Sequence, residues 1–142
     1  MISPSIDIII GPMYSGKSSE LVRRLNIYST MGLRVLYCNS DIDTRSSDNL
    51  SSHNSTLTLG GLDSIKLDSI VGLLSLQSDY DVIGIDEAQF FENLKEIVLE
   101  LVENLDKKVI ISGLNGDSFR KPFGEILDLI PYSDKILKLH PF

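Results

Sequence analysis

Apolar residues fall along this chain in two alternating rhythms. Short runs dense in Ile, Val and Leu occupy residues 6–10, 34–38, 82–86, 108–112 and 135–139. Runs of this length, rich in β-branched residues on both faces, read as strands buried inside a sheet. A further short strand is expected over 64–67. Between these runs the spacing becomes that of a helix. Leu21, Val22, Leu25 and Tyr28 share one stripe of a helix predicted over 18–31, with Gly32 as its terminator. Leu94, Ile97, Val98, Leu101, Val102 and Leu105 make the stripe of a second helix over 92–105. Shorter helices are expected over 69–76 and 125–130, the latter stopped by Pro131. Residues 39–61 break both rhythms. They are rich in Ser, Asn and Asp and too long for a casual connection, so they read as a functional or a disordered loop.

Strands alternating with helices predict an α/β fold, an open and mostly parallel sheet with helices on both faces. Ligands of such sheets sit beyond the carboxyl ends of the strands. The segments that follow residues 10, 38, 86 and 112 would therefore converge on one edge. No repeat or linker divides the 142 residues, so one domain spanning 1–142 is expected.

Composition narrows the partners. With 13 basic and 20 acidic residues the net charge is -7. That argues against a broad nucleic-acid groove or an anionic membrane surface, but not against a local phosphate site built from backbone. Cys38 is the single cysteine, so no internal disulfide forms and a reducing, cytoplasmic setting is expected. Neither a membrane span nor a signal pattern is present in the sequence.

Chemistry enters at Gly11-Pro12-Met13-Tyr14-Ser15-Gly16-Lys17-Ser18. This is G-x-x-x-x-G-K-[ST] between a predicted strand and a predicted helix. Its glycines let backbone N–H groups curl toward one point, and the helix adds its positive end. Lys17 supplies a charge for the β- and γ-phosphates, and Ser18 a hydroxyl for Mg²⁺. Asp86-Glu87 closes a later strand, where one acid of a P-loop enzyme holds Mg²⁺ through water and its neighbour is free to take a proton. A helicase would need a second lobe and a basic strand path, and a GTPase an Asn-Lys-x-Asp string; the chain has none of these.

Four blocks together resemble the type II thymidine kinases, a family of cellular cytosolic enzymes and poxvirus relatives. They are Gly11 to Ser18, Asp43-Thr44-Arg45, Asp86-Glu87-Ala88-Gln89-Phe90-Phe91 and Arg120-Lys121-Pro122-Phe123-Gly124-Glu125-Ile126-Leu127. The resemblance runs from residue 6 to about residue 139. It implies a P-loop NTPase-type, RecA-like sheet and transfer of the ATP γ-phosphate to the 5′-hydroxyl of thymidine. Glu87 then matches the catalytic base. Gly11, Pro12, Met13, Tyr14, Ser15, Gly16, Lys17, Ser18, Asp43, Arg45, Asp86 and Gln89 fall in the ATP site. Ser18 and, through water, Asp86 would hold Mg²⁺. Phe90, Leu114 and Phe119 fall toward the nucleoside, Phe91 reading equally well as a hydrophobic staple for the next helix. The family's substrate-facing aromatic usually stands one place earlier, where this chain has Ser118, which bears on base selectivity. Cys38 and His140 read as a core and a surface residue, and no catalytic role is assigned to His53.

Past residue 139 the family continues through two Cys-x-x-Cys pairs around a structural zinc, with a lasso over the thymine between them. One cysteine cannot make that site. No zinc and no C-terminal lasso domain are therefore expected within these residues, and ATP binding should survive better than thymidine phosphorylation. Two alternatives stand beside the kinase reading. One is an ATP-binding protein with reduced or no kinase activity; the other is a kinase for another small acceptor. The resemblance also implies a homo-tetramer, which no pattern in the residues shows by itself.

Overall fold

The computed structural model describes residues 2–13, 15–40, 57–59, 61–114 and 124–140. Its strands are β1 (Ser5–Gly11), β2 (Val35–Ser40), β3 (Leu57–Leu59), β4 (Leu62–Leu67), β5 (Val82–Ile85), β6 (Lys108–Leu114) and β7 (Lys135–Lys138). Its α-helices are α1 (Lys17–Thr30), α2 (Leu73–Leu76) and α3 (Leu94–Leu99). The strands form one sheet in the order β3-β4-β2-β5-β6-β1-β7. Every neighbouring pair is parallel except β3 with β4, an antiparallel edge pair.

The order dictates which face each helix covers. The β1–α1–β2 crossover travels one way along the sheet, whereas β4–α2–β5 and β5–α3–β6 travel the other. Right-handed crossovers running in opposite directions put their helices on opposite faces. Accordingly Leu21 and Leu25 of α1 are fully buried against Ile9, Val35, Val82 and Ile110. On the other face Ile8, Leu36, Ile83 and Ile111 pack with Ile70, Leu73, Leu94, Val98 and Leu101. Full burial of such a side chain is worth about 1.5–3 kcal/mol, so both layers are needed to hold the sheet.

One polar residue sits inside the most apolar strand. Asp7 is buried on the α1 face, and its Oδ2 lies 3.2 Å from Lys108 Nζ. Lys108 also donates to Ser5 Oγ at 2.6 Å and stands 5.5 Å from the Tyr28 ring. Breaking such a pair leaves an uncompensated buried charge.

The predicted elements are found with shifted bounds, and several differ in kind. The segment 39–61 is not one loop among the described residues: β2 continues to Ser40, and β3 pairs back on β4 through Gly61 at φ 96. The helix over 69–76 is broken into a 3₁₀ turn at Ile70–Gly72, α2, and another turn at Gln77–Asp79. The helix over 92–105 starts later, at α3, and widens to a π-helix over Glu100–Asn104. Its apolar stripe is nonetheless the buried one, because a local change of winding leaves the face intact. Pro131 does not end the last helix; it lies inside a 3₁₀ segment, Ile126–Tyr132. A segment of i→i+3 bonds loses a single bond to a proline, whose φ already suits it. No helix among the described residues is long and apolar enough to cross a membrane.

Candidate active site

The loop after β1 owes its shape to close approaches. A Cβ on Gly11 would lie 2.7 Å from Ser15 Oγ and 2.9 Å from the Leu139 carbonyl, so only glycine fits. Gly16 takes the left-handed conformation, φ 85 and ψ 19, that turns the chain into α1. Ser15 is buried and donates its hydroxyl to the Pro12 carbonyl at 2.7 Å. Lys17 Nζ donates to the same carbonyl at 2.6 Å. Burial pulls the Lys17 ammonium below its ordinary value, while the Asp86 and Glu87 carboxylates push it back up. The lysine thus sits within the field of both acids. Ser18 is exposed in the first turn of α1, and Met13 is exposed on the outside of the loop.

The acid pair lies at the carboxyl end of β5, two strands from β1. Asp86 is buried, and each of its oxygens is occupied. Oδ2 accepts from the Tyr37 hydroxyl at 2.6 Å, and Oδ1 from the Glu87 N–H at 2.9 Å. Its own N–H extends the β2–β5 ladder by donating to the Cys38 carbonyl at 2.8 Å. Burial first, and then the Asp86 charge, raise the Tyr37 phenol well above its ordinary range, so it stays a donor. Glu87 is left-handed at φ 49 and ψ 44, a conformation disfavoured for a residue with a Cβ. Backbone of this kind clusters at functional sites.

Behind the acids, Gln89 is a hub. It is buried, and its Oε1 accepts from the Leu114 N–H at 3.1 Å, joining the segment after β5 to the end of β6. A Cβ on Gly113 would meet Gln89 Oε1 at 2.6 Å, and one on Gly124 would meet the Gln89 carbonyl at 2.5 Å. Glu125 completes the frame. Its carboxylate accepts from the Asn93 and Lys95 N–H groups, each at 2.9 Å, and so caps α3 from 30 residues away in sequence. Phe90 is half-buried beside the acids; Phe91 is 2% exposed and packs into the core with α3.

A family model described as "Thymidine kinase" matches residues 4–141. The chain belongs to the thymidine kinase family. The thymidine kinase of Choristoneura fumiferana entomopoxvirus is 39% identical over 137 residues, 95% of this chain and 74% of the relative. That of variola virus is 38% identical over 134 residues, covering 94% and 73% respectively. Thymidine kinase a of Arabidopsis thaliana is 37% identical over 143 residues, 96% of this chain and 58% of the plant protein.

Within this thymidine-kinase-family chain, Gly11, Pro12, Met13, Ser15, Gly16, Lys17 and Ser18 form one turn, and Asp86 and Glu87 end a strand within electrostatic reach of Lys17. Gln89 follows them with its side-chain oxygen engaged on the Leu114 N–H, and Phe90 is half-buried, its N–H donating to the Glu87 carbonyl at 3.2 Å. Tyr14, Asp43, Arg45 and Phe119 lie outside the described residues, as do His53, Arg120, Lys121 and Phe123. Cys38 is a buried core residue and His140 is exposed, as their sequence settings suggested. Sequence reasoning did not single out Tyr37, Gly113 or Glu125 as parts of the site. For Tyr37 the available signal was its place next to the last residue of the strand predicted over 34–38. For Glu125 it was a carboxylate in an otherwise basic block.

The donor set suits Mg²⁺ carried in with a triphosphate. Among the described residues no cluster of three or more acidic, His or Cys side chains could hold an ion alone. One buried carboxylate and one hydroxyl beside a lysine are what Mg²⁺ uses when phosphates and waters fill its remaining positions.

Proposed function

We propose that this chain transfers the γ-phosphate of ATP to the 5′-hydroxyl of thymidine, with the turn from Gly11 to Ser18 as the phosphate cradle and Glu87 as the base. The supporting observation is the closeness of the two charge systems: the Lys17 ammonium feels both carboxylates of the Asp86-Glu87 pair. In this reading Lys17 exchanges the Pro12 carbonyl for phosphate oxygens when ATP enters. Backbone N–H groups of the turn and the start of α1 take the remaining phosphate charge. Bound Mg²⁺ would supply charge neutralisation at the β- and γ-phosphates, with Ser18 and Asp86 as its protein-side partners. Glu87 removes the proton of the 5′-hydroxyl as that oxygen bonds to the γ-phosphorus. The bond to the bridging oxygen breaks on the opposite side, and ADP leaves with the electron pair. Phe90 and Leu114 wall the acceptor side, so that the hydroxyl is held in line.

The decisive variant is Glu87→Gln, assayed by product formation and by calorimetry with Mg-ATP. Phosphoryl transfer should fall by roughly a hundredfold or more, with ATP affinity nearly unchanged. A large loss of ATP binding in that variant would reassign Glu87 to metal or structure. Turnover of the unmodified chain with a panel of nucleosides tests the acceptor. Thymidine supports the reading, another nucleoside moves the chain to a different acceptor, and none makes it a nucleotide-binding protein. The family likeness also carries a cytoplasmic location and a homo-tetramer, which cell fractionation and light scattering test.

A further inference from the structure

We propose that Tyr37 is a positioning residue for phosphoryl transfer, acting through Asp86: its hydroxyl fixes the carboxylate whose other oxygen holds the Glu87 backbone. The inference rests on the proposed Mg-ATP site and adds a residue from a different strand to it.

The geometry is that of a clamp. A carboxylate at a strand end has two side-chain torsions to lose. In Asp86 both oxygens already carry a donor, Tyr37 at 2.6 Å on Oδ2 and Glu87 N–H at 2.9 Å on Oδ1. Each oxygen keeps one further lone-pair direction, so the clamp orients the group without exhausting it. The second donor matters as much as the first. The Glu87 N–H bond to Asp86 Oδ1 tethers the amino side of a residue held at φ 49. Loosening Asp86 therefore loosens the backbone that aims the base.

The fold provides the reach. Tyr37 stands opposite Gly84 in the β2–β5 register, and Asp86 lies two residues beyond Gly84 on the same face. No side chain at position 84 separates the two, and none fits there, since a Cβ would come 2.5 Å from Leu25 Cδ1. Tyr37 packs against the apolar cluster to which Leu21 and Leu25 of α1 belong. The same helix opens at Lys17, so the tyrosine that holds the acid is braced by the helix that carries the cradle.

A second tyrosine offers an internal control. Tyr80 donates to Asp63 Oδ2 at the same 2.6 Å. That pair lies toward the amino ends of the strands, since Asp63 pairs with Leu36 and Tyr80 precedes β5. It has the same bond and no reactive neighbour.

Tyr37→Phe and Tyr80→Phe should be compared with the unmodified chain in three measurements: melting temperature, calorimetric ATP affinity with and without Mg²⁺, and kcat and KM for ATP. In Tyr37→Phe the Mg²⁺ concentration that enhances ATP binding should rise on the order of tenfold. Its kcat should drop roughly ten- to a hundredfold with KM for ATP little changed. Tyr80→Phe should lower the melting temperature and leave both metal response and kcat as they were. Replacing Tyr37 by 3-fluorotyrosine, which keeps the shape and the donor, should retain the metal response. The inference is overturned if Tyr37→Phe matches the unmodified chain, if Tyr80→Phe loses metal response equally, or if the fluorinated residue behaves like Phe. An unmodified chain with no Mg²⁺-dependent ATP binding would overturn the site reading itself, and this inference with it.

Discussion

Replacing Glu87 by Gly, and separately by Ala, separates the cost of its backbone from the value of its carboxylate. Both variants remove the same side-chain chemistry and differ only in one methyl group. At φ 49 and ψ 44 that methyl is strained, and the left-handed region costs a residue with a Cβ about 1–2 kcal/mol. Glycine escapes the strain but loses about 0.4–1 kcal/mol through its freer unfolded chain. The difference leaves the Gly variant about 0.5–1 kcal/mol more stable than the Ala variant, on the order of 2–4 °C in melting temperature for a chain of this size. Calorimetric or circular-dichroism melts under identical conditions read this directly. Both variants should lose phosphoryl transfer by roughly a hundredfold or more and keep ATP affinity. An Ala variant as stable as the Gly variant, or more so, would mean that residue 87 does not hold the left-handed conformation. The fold would then store no strain at this carboxylate.

Other perturbations test the surrounding frame. Glu125→Ala uncaps α3 by deleting both of its acceptor bonds, and should cost about 1–3 kcal/mol in denaturant melts. Gly113→Ala places a Cβ 2.4 Å from Ile126 Cδ1 and 2.6 Å from Gln89 Oε1, so it should destabilise by about 1–3 kcal/mol and weaken turnover more than Mg-ATP binding. Bonds from Arg23 and then Arg24 depress the Glu20 carboxyl to about 2 from 4.5. Its stabilisation is therefore complete above about pH 4.5 and is lost as the pH falls toward 2. Melting curves of Glu20→Gln should converge on those of the unmodified chain across that acid window, and divergence there would refute the pairing. Burial, and after it the Asp86 charge, push the Cys38 thiol well above its ordinary range, so a thiol reagent should label the single cysteine only when the chain unfolds.

The architecture was legible because strands buried on both faces write themselves as dense apolar runs. The stripe from Leu94 to Leu105 survived even a change of helix type, since the buried face depends on spacing and not on winding. What spacing could not supply was anything decided by a partner distant in the chain. Asp7 inside β1 makes sense only once Lys108 is beside it, and Glu125 reads as a cap only once α3 is in front of it. Leu57–Leu59 hid in a polar stretch because a three-residue edge strand carries too few residues to show a period. In the site, the Gly11-to-Ser18 turn and the Asp86-Glu87 pair were legible as local strings. Tyr37 was not, because its role comes from a sheet neighbour 49 residues away.

The position of the first strand has a consequence for how the chain comes into being. β1 lies between β6 and β7, so both of its sheet partners leave the ribosome long after it does. Pairings that bridge more than a hundred residues form late, after a large loop has closed. Until then Ile8, Ile9 and Ile10 have no edge to join and present bare apolar surface to whatever is nearby. The turn proposed to cradle phosphate hangs from the end of that strand. Nascent chains halted before β6 should therefore depend on chaperones and bind no nucleotide, and competence should arrive abruptly once β6 and β7 have emerged.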